Sequence, residues 1–364
     1  MKINKPKIAV IGLKGLPAFG GAASVGENII EQLKDKYDFT VYSISTHTTC
    51  KSGDYNNYHQ IVFDHKKKSG FSTLLYYFKS VCHVLFKNKY DLIHLHHNAA
   101  SFLIPILRIK YKVVLTTHGL HTEEKFNYLK YVYKVFDWIF LRFSNVVTTV
   151  SKEDFIKLSN LGIRHRVFIP NGIIMPNKIY PLFEKENNYI LFAAGRIYEG
   201  KGCHIMLEAL IKMNYPGRVI IAGDLDQKKK YKDKVLNLAN HLANVRYVGM
   251  IKDKEILYSL IQNAKLFIYP SQKEAMSMML LEVSSLRTPI ICSNCQGNQD
   301  LFSDDEALFA ENDNILDWKN KIEWALNNID EMKKKSNMAY NKLLKEHLWK
   351  NITKQYEVVF NNLL

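Results

Sequence analysis

Two glutamates, Glu274 and Glu282, are separated by seven residues where a predicted apolar helix follows a buried strand at residues 266–270. Carboxylates accept hydrogen bonds from hydroxyl groups, so both side chains could bind one extended ligand. If the helix ran regularly through both positions, Glu282 would lie about 80° round the axis and about 12 Å along it from Glu274. Free N–H groups from about Met276 to Met279 would attract an anion such as a diphosphate. The alternative is an ordinary amphipathic helix with two solvated glutamates.

A second chemical signal is the loop GRIYEGKG, which runs from Gly195 to residue 202 after a predicted strand. It carries Arg196 and Lys201, five residues apart and flanked by glycines. A guanidinium binds phosphate oxygens with two parallel hydrogen bonds, and an ammonium group binds them as a point charge. The pair therefore predicts a diphosphate clamp, with a solvated basic loop as the alternative.

The first half of the chain has candidate ligand groups of its own. Gly20 and Gly21 let the backbone approach a ligand closely, just before a predicted helix whose N-terminus favours anions. His118 follows a strand and could donate to a sugar hydroxyl or a phosphate oxygen, although a structural histidine fits equally well. His94 and His96 alternate along another strand and could bind a metal in principle. No carboxylate stands near to complete such a site, so we predict no metal centre.

The elements that must position these residues alternate between strand and helix. Continuous β-branched runs followed by helical stretches are typical of buried parallel strands in a doubly wound sheet. Ligands bind outside the carboxyl ends of such strands, which is where the candidate residues fall. A linker at residues 171–188 divides the pattern into two α/β domains. The predicted strands are residues 7–13, 39–45, 91–97, 112–119 and 146–151 in the first half, and 189–195, 218–224, 244–250, 265–271 and 288–294 in the second.

Length and charge limit the class of protein. A chain of 364 residues exceeds one usual core, and 47% hydrophobic residues exclude a disordered protein. The net charge is +15, and residues 1–175 carry most of it, with 24 basic against 12 acidic residues. Such a field predicts an anionic membrane surface, an anionic substrate or nucleic acid as the partner. Nucleic acid ranks last because no nucleic-acid-binding motif accompanies the charge.

Two predicted helices, residues 71–90 and 125–143, combine aromatic residues with lysine. Core packing explains their inward faces, but the same combination is typical of a helix that lies on a membrane surface. An anionic membrane is therefore a candidate partner.

Cysteine usage and the first residues indicate the compartment. The five cysteines have no framework spacing, and the C-x-x-C formed by Cys292 and Cys295 has no second pair, which favours a structural thiol pair in a reducing compartment. The apolar run IAVIGL near the start is too short for a signal peptide. We therefore expect a cytoplasmic protein.

Seven motifs occur in order along the chain. They are GLPAFGG, TTHG with His118, PNGI at residues 170–173, GRIYEGKG, AGD, YVGM and S-x-x-E-x(7)-E. This ordered set resembles the retaining nucleotide-sugar glycosyltransferases of the GT-B fold, the family-four type, also called glycosyl transferases group 1. The resemblance covers almost the whole chain, and the ordered set is far more specific than any one motif.

The resemblance implies an α/β fold of two Rossmann-like, doubly wound parallel-sheet domains that face each other across a cleft. Residues 1–170 would form the acceptor-side domain, with a C-terminal helix at residues 348–364 packing back on it. Residues 171–347 would form the domain that binds the nucleotide sugar.

Residue roles follow from the resemblance position by position. Arg196 and Lys201 match the residues that hold the donor diphosphate, and Glu282 matches the carboxylate that binds the ribose hydroxyls. Glu274 matches the carboxylate at the transferred sugar, and His118 the histidine beside that sugar. The residues that match the surrounding sugar and phosphate cradle are Gly20, Gly21, Gly195, Ser277, Met278 and Met279.

The chain departs from the family pattern at two places. Ala275, Met276 and Ser277 replace the glycine and proline that often follow the first glutamate, so the donor-sugar pocket is expected to differ in shape. In CQGNQD at residues 295–300, Asp300 stands where the family usually has glutamate.

The implied reaction transfers a sugar from a nucleoside diphosphate to an acceptor hydroxyl with retention at the anomeric carbon. Basic groups and helix N-termini would neutralise the leaving diphosphate, so we expect no cofactor and no divalent metal. We expect a UDP-linked rather than a GDP-linked donor, and a lipid-linked saccharide acceptor for a bacterial surface polysaccharide. The protein would then bind peripherally at the inner face of the cell membrane.

Two other classes stay open. One is a nucleotide-sugar epimerase of similar fold, which needs no acceptor. The other is a non-catalytic subunit that keeps the fold and binds a partner enzyme or a membrane.

Overall fold

The computed structural model describes residues 5–18, 20–55, 58–65, 69–120, 135–178, 180–181 and 188–364. These residues form two compact units. The first unit runs to Asn171 and includes Trp349–Leu364, and the second is Gly172–Leu348. Of the aromatic helix predicted at residues 125–143, the part before residue 135 lies outside the described residues, and residues 135–141 are helical.

The first unit contains one eight-stranded sheet. Its strands are β1 (Lys7–Lys14), β2 (Asp38–Ile44), β3 (Gly53–Tyr55), β4 (Tyr58–Phe63), β5 (Leu92–His96), β6 (Lys112–Thr117), β7 (Val146–Thr149) and β8 (Arg166–Phe168). The strand order is β3-β4-β2-β1-β5-β6-β7-β8, and all pairs are parallel except β3 with β4. The chain winds outward from β1 through β2 and then crosses back to β5, so the order reverses between β1 and β5. Such a reversal is where doubly wound sheets bind ligands.

Helices cover both faces of this sheet. Besides the helical residues 135–141, they include α1 (Gly21–Leu33), α2 (Gly70–Phe86), α3 (Ile104–Leu107), α4 (Lys152–Asn160) and the C-terminal helix (Trp349–Asn361). Successive residues of β1 from Ile8 to Ile11 are all buried, although they point to alternate faces. This explains why the strand reads as a continuous apolar run and not as an alternating one.

Gly12 allows β1 to pass close to β5 at the reversal point. Its φ is +109°, and a Cβ at this position would lie 1.9 Å from the carbonyl oxygen of His96. The N–H of Gly12 donates to the hydroxyl of Tyr76 at 2.9 Å. Only glycine fits here, and it fixes the end of β1 beside His96.

The C-terminal helix packs against the first unit, beside the end of α1. Lys36 Nζ lies 2.5 Å from Glu357 Oε1, and the hydroxyl of Tyr37 donates to Asn361 Oδ1 at 2.6 Å. The rings of Tyr37 and Phe360 meet edge to face at 5.6 Å. Polar contacts at the rim and an aromatic contact inside therefore hold the last helix on this sheet.

The second unit contains a six-stranded parallel sheet. Its strands are β9 (Tyr189–Arg196), β10 (Arg218–Asp224), β11 (Val245–Gly249), β12 (Leu266–Tyr269), β13 (Ile290–Ser293) and β14 (Leu308–Ala310), in the order β11-β10-β9-β12-β13-β14. The order reverses between β9 and β12. Loops that follow these two strands therefore meet at the carboxyl edge of the sheet.

The described residues of the second unit form seven helices around an apolar core that includes Phe192, Phe267 and Trp318. They are α5 (Cys203–Lys212), α6 (Lys229–Ala239), α7 (Lys254–Gln262), α8 (Met278–Ser285), α9 (Gln296–Leu301), α10 (Ile315–Asn327) and α11 (Ile329–Glu346). The predicted fold class, with a parallel α/β sheet in each half, is confirmed. In the described parts of the chain, no helix is both long and apolar enough to cross a membrane.

Candidate active site

The carboxylate of Glu274 is the centre of a hydrogen-bonded cluster at the carboxyl edge of the second sheet. Its Oε1 accepts from Lys201 Nζ at 2.5 Å, from Ser271 Oγ at 2.6 Å and from the hydroxyl of Tyr269 at 2.9 Å. The side chain is 10% exposed. All three donors bind the same oxygen, and Oε2 makes no hydrogen bond with the described residues. Glu274 is therefore oriented on one side and open to accept a ligand hydroxyl on the other.

Lys201 lies in a short 3₁₀ turn, Glu199–Lys201, that follows β9. Its Nζ also contacts the hydroxyl of Tyr269 at 3.2 Å and lies 5.6 Å from the centre of that ring. Burial alone would lower the pKa of Lys201, but its interactions with Tyr269 and Glu274 raise the pKa above its ordinary value. Burial, with the Glu274 carboxylate, raises the pKa of Tyr269. At neutral pH the cluster therefore holds a charged lysine and a neutral tyrosine that donates its proton.

Two glycines allow the loops to close around this cluster. Gly202 has φ +70°, and a Cβ there would lie 1.9 Å from the carbonyl oxygen of Pro270. A Cβ at Gly297 would lie 2.0 Å from the carbonyl oxygen of Glu274. The loop after β9 and the loop after β12 are also joined by Gln272 N, which donates to Gly200 O at 2.9 Å. The position of Glu274 thus depends on backbone contacts that side chains would block.

Helix α8 begins later than the sequence analysis assumed. Ser277 is its N-cap, and the Ser277 hydroxyl accepts from Leu280 N. Glu274 lies three residues before this cap, so the condition of a regular helix through both glutamates is not met and the 80° and 12 Å relation does not apply. The free amide groups of the first turn are those of Met278 and Met279, because Leu280 N is capped and Leu281 N bonds to the carbonyl oxygen of Ser277. Met276 lies outside the helix.

Glu282 lies within α8 and takes no part in the hydrogen bonds that surround Glu274. Its carboxylate is buried and pairs with Lys254 on α7, whose Nζ lies 3.6 Å from Oε1. Burial raises the pKa of Glu282, and Lys254 opposes that shift only in part. No hydrogen bond or ion pair among the described residues joins Glu282 to the Lys201–Glu274 cluster. The two glutamates therefore sit in different electrostatic environments.

Arg196 is the last residue of β9 and is exposed, as is Gly195 before it. Its guanidinium makes no hydrogen bond or ion pair with any residue that the structure describes. The structure therefore separates the two basic residues of the predicted clamp. Lys201 is engaged with Glu274, whereas Arg196 is available to an anion from solution.

In the first unit, α1 presents an uncapped N-terminus near the reversal between β1 and β5. Gly20 is the N-cap, with extended backbone and no side-chain hydrogen bond, and Gly21 begins the helix. The first turn has no acidic residue, and a Cβ at Gly20 would meet only open space. The amide groups of this turn are thus free to bind an anion.

His118 follows β6 and packs on a second histidine. Its Nε2 lies 3.4 Å from His96 Nδ1, and the two rings stack with a 5.7 Å centroid separation. Burial, with small additions from the charges of His97 and His94, lowers the pKa of His118 to about 3. His118 is therefore a neutral imidazole at physiological pH. It can donate or accept a hydrogen bond but cannot supply positive charge.

The alternative of a metal at His94 and His96 has no support from the geometry. His94 Nε2 is 2.8 Å from the hydroxyl of Thr116, and the rings of His94 and His96 pack at 4.1 Å. The part of the chain that the structure describes contains no group of three or more His, Cys, Asp or Glu residues that could hold a metal ion.

Sequence reasoning assigned no role to Tyr269 or to Ser271, the first residue of the S-x-x-E motif, although both orient Glu274. Tyr269 is the last residue of β12, and Ser271 follows two residues later, three residues before the glutamate. A run of two hydroxyl residues at that spacing is the only signal that could have indicated them, since their direction toward Glu274 depends on how the loop folds.

Two family models match adjacent stretches of the chain. "Glycosyltransferase Family 4" matches residues 19–175, and "Glycosyl transferases group 1" matches residues 176–342. With two parallel α/β sheets and the carboxyl-edge cluster described above, the chain belongs to the glycosyltransferases of group 1 and family 4, which have the GT-B fold.

Related proteins share modest sequence identity with this chain. The capsular polysaccharide biosynthesis glycosyltransferase CapM of Staphylococcus aureus is 20% identical over 59% of this chain and 59% of its own length. The GPI3 subunit of phosphatidylinositol N-acetylglucosaminyltransferase of Saccharomyces cerevisiae is 20% identical over 84% of this chain and 71% of its own. A Campylobacter jejuni enzyme, N,N'-diacetylbacillosaminyl-diphospho-undecaprenol alpha-1,3-N-acetylgalactosaminyltransferase, is 26% identical over 50% and 47%. The chain thus spans about three fifths of CapM and about half of the Campylobacter enzyme.

Solved structures share the fold over nearly the whole chain. Sucrose-phosphate synthase from Thermosynechococcus elongatus has a TM-score of 0.84 at 18% identity, covering 99% of both chains. HepE of Anabaena, solved with UDP and glucose, has a TM-score of 0.78 at 17% identity, covering 98% of this chain and 100% of that one. A trehalose-6-phosphate synthase, studied for glycosyl transfer with retention, has a TM-score of 0.78 at 13% identity, covering 99% and 100%.

Proposed function

We propose that this protein is a retaining glycosyltransferase that moves a sugar from a nucleoside-diphosphate sugar, UDP-linked rather than GDP-linked, to a hydroxyl of a lipid-linked saccharide. The observation that carries the proposal is the orientation of Glu274. Three donors hold its Oε1 while Oε2 is left to accept a hydrogen bond. Such an arrangement suits a sugar hydroxyl at the carboxyl edge of the sheet.

The donor diphosphate would bind at the loop after β9 and at the first turn of α8. Arg196 is exposed and has no partner among the described residues, and the amide groups of Met278 and Met279 are free. Lys201 contributes positive charge beside the sugar, because it is held by Glu274. HepE, solved with UDP and glucose, supports a nucleotide ligand, and this is also the reason to prefer UDP.

Each remaining site residue has a proposed contact. Glu282 accepts hydrogen bonds from the ribose hydroxyls, and the backbone of Gly195 and Ser277 belongs to the same cradle. In the first unit, the free amide groups at Gly20 and Gly21 bind an anionic group of a substrate, and His118 makes a hydrogen bond to a substrate.

Chemistry would proceed without a covalent enzyme intermediate. The bond between the anomeric carbon and the phosphate oxygen breaks, the acceptor oxygen attacks from the same face, and its proton passes to the leaving phosphate. Positive charge develops at the anomeric carbon, as in other glycosyl transfers. Arg196, Lys201 and the amide groups stabilise the leaving diphosphate, so no divalent metal is needed. Glu274 binds the sugar and is not a nucleophile. The trehalose-6-phosphate synthase studied for retention supports the retaining outcome of this proposal.

One exposed face of α2 supports the proposal of a lipid-linked acceptor. Phe71, Leu74 and Phe78 lie at helical spacing on one side and are exposed, as is Phe86 near the end of the helix. Lys110 Nζ donates to the carbonyl oxygen of Leu85, which adds a cation beside the end of this face. Aromatic residues next to lysines suit the interface of an anionic membrane. The Campylobacter enzyme is named for a diphospho-undecaprenol-linked saccharide, which supports the same acceptor class. We therefore propose peripheral binding at the inner face of the cell membrane.

The proposal is tested by incubating the purified protein with a panel of UDP- and GDP-linked sugars, with and without undecaprenyl-diphosphate-linked saccharides. We expect a product only when an acceptor is present, with the anomeric configuration of the donor retained in the product's NMR spectrum. An inverted product contradicts retention. Conversion of the donor alone to an isomeric nucleotide sugar indicates an epimerase. No turnover of any donor by the wild type, together with tight binding to a glycosyltransferase subunit, indicates a non-catalytic protein.

A further inference from the structure

Three residues of β5 and β6, with His118 just after β6, lie on one face of the first sheet. The two strands are parallel, and their register pairs His94 with Val114 and His96 with Thr116. Side chains two residues apart share a face, so Thr116 and His118 face the same side as the two histidines. Each of the two histidines of β5 contacts the side chain 22 positions later in the chain: His94 contacts Thr116, and His96 contacts His118. The sheet itself therefore sets which side chain each histidine contacts.

All three imidazoles are neutral. Burial lowers the pKa of His94 to about 3 and that of His118 to about 3, and it holds the pKa of His96 well below its ordinary value, with the charges of its histidine neighbours adding to the shift. A neutral imidazole has one N–H donor and one bare nitrogen that accepts. The contact between His96 and His118 must therefore be one hydrogen bond with a direction.

The direction is decided by the other nitrogen of His96. His96 is 1% exposed, and its Nε2 has no hydrogen-bond partner among the described residues. If His118 donated to His96 Nδ1, the proton of His96 would sit on Nε2 as a buried N–H without an acceptor. If His96 donated instead, Nε2 would be a bare lone pair. Unpaired buried N–H groups are rarer and costlier than unused acceptors.

We propose that His96 is a positioning residue that donates its Nδ1–H to Nε2 of His118 and so holds the proton of His118 on Nδ1. His118 Nδ1 has no hydrogen-bond partner among the described residues, so this nitrogen becomes a fixed donor. This inference rests on the proposed function where it gives His118 a substrate contact. The substrate group bound there must then be an acceptor, namely a phosphate or hydroxyl oxygen.

The direct test is a long-range proton–nitrogen NMR spectrum of protein labelled with ¹⁵N-histidine, with the His118 signals assigned from a His118→Asn sample. We expect a protonated, pyrrole-type Nδ1 and an unprotonated, pyridine-type Nε2. The reverse pattern, or a mixture of both tautomers in the wild type, overturns the proposal.

Three variants separate positioning from a structural role. His96→Leu removes the donor, and we expect His118 to show both tautomers. His96→Asn places an amide N–H where Nδ1 stood, and we expect the single wild-type pattern to return. His94→Gln is the matched control, because its amide can keep the bond to Thr116, and the His118 pattern should not change. An unchanged pattern in His96→Leu contradicts the proposal.

Kinetics give an independent readout if transfer is observed. We expect His96→Leu to lower kcat about 10-fold with little change in KM, the effect of about one hydrogen bond, and His96→Asn to recover most of it. A protein without transferase activity would refute the proposed function. The NMR pattern would still decide the tautomer, so the two failures are distinguishable.

Discussion

Lys201 Nζ lies 2.5 Å from Glu274 Oε1, with side chains only 18% and 10% exposed, so these two residues form one ion pair and not two independent ligand groups. The pair is joined by Tyr269 and Ser271, which bind the same carboxylate oxygen. The ammonium group of Lys201 is therefore held in one position before any ligand binds.

The first prediction concerns the stability of this pair. Glu274→Gln should lower kcat by about 10- to 150-fold, because a hydrogen bond to a charged group is worth about 1.5 to 3 kcal/mol. It should also destabilise the fold by about 3 kcal/mol, since it leaves Lys201 buried without its counter-charge. Kinetics and urea unfolding of the variant measure both effects.

A control distinguishes this pair from surface ion pairs. Glu323 pairs with Lys319 on α10 at 3.4 Å and is more exposed, so Glu323→Gln should change stability by less than about 1 kcal/mol. The double change of Lys201→Met with Glu274→Leu should restore much of the stability but none of the activity. Equal, small stability losses for Glu274→Gln and Glu323→Gln would show that the pair is not coupled to folding.

The second prediction concerns Glu282 and pH. Its pKa in the folded protein is raised above the ordinary value of about 4.5. The free energy of unfolding of the wild type is therefore greatest below pH 4.5, where Glu282 is protonated in both states, and falls as the pH rises through the folded pKa. Glu282→Gln cannot ionise and should avoid that loss. We expect the variant to be more stable than the wild type at pH 7 and equal to it below pH 4.5, as measured by thermal melts. A constant difference across this range would be inconsistent with a raised pKa.

The third prediction concerns metals. Sugar transfer should continue in excess EDTA, because Arg196, Lys201 and amide groups take the role that Mg²⁺ has beside a diphosphate in other enzymes. The measurement is the initial rate with EDTA and after Mg²⁺ or Mn²⁺ is added back. Loss of activity that either ion restores would refute metal independence.

The fourth prediction concerns the exposed face of α2. Phe71 is 75% exposed and Phe78 is 65% exposed, and burying one phenylalanine in a membrane contributes about 1.5 to 3 kcal/mol. The double variant Phe71→Ser and Phe78→Ser should reduce binding to anionic vesicles at least about 10-fold in a sedimentation assay. Leu316→Ser is the control, since Leu316 is 58% exposed but belongs to the other unit. Equal binding by all three proteins, or no binding by the wild type at low salt, would rule out this face.

Long apolar strands could be predicted from the sequence because a fully buried parallel strand is a continuous β-branched run. The ten predicted strands all occur, and β1 is typical of them. The strands β3, β8 and β14 were missed because each has only three residues, too few to show a period. β4 was missed as well, and with β3 it forms the one antiparallel pair among the described strands of the first sheet.

The site was less predictable than the fold. The motif spacing placed Lys201 and Glu274 on loops that follow neighbouring strands, but it could not show that Lys201 turns toward Glu274 while Arg196 stays in solvent. The start of α8 was missed because apolar residues run on both sides of Ser277, and only its hydroxyl bond to Leu280 N marks the cap.

The most direct test of a nucleotide-diphosphate site at the carboxyl edge of the second sheet is isothermal titration of UDP into the wild type and into Arg196→Gln. Arg196 has no ion pair among the described residues, so its loss should leave the fold intact while removing a charged hydrogen bond of about 1.5 to 3 kcal/mol. We predict that the wild type binds UDP more tightly than GDP, that Arg196→Gln weakens UDP binding at least about 10-fold, and that Lys212→Gln, an exposed control on α5, changes nothing. Equal UDP affinity for the wild type and Arg196→Gln, or no UDP binding by the wild type, would contradict the account.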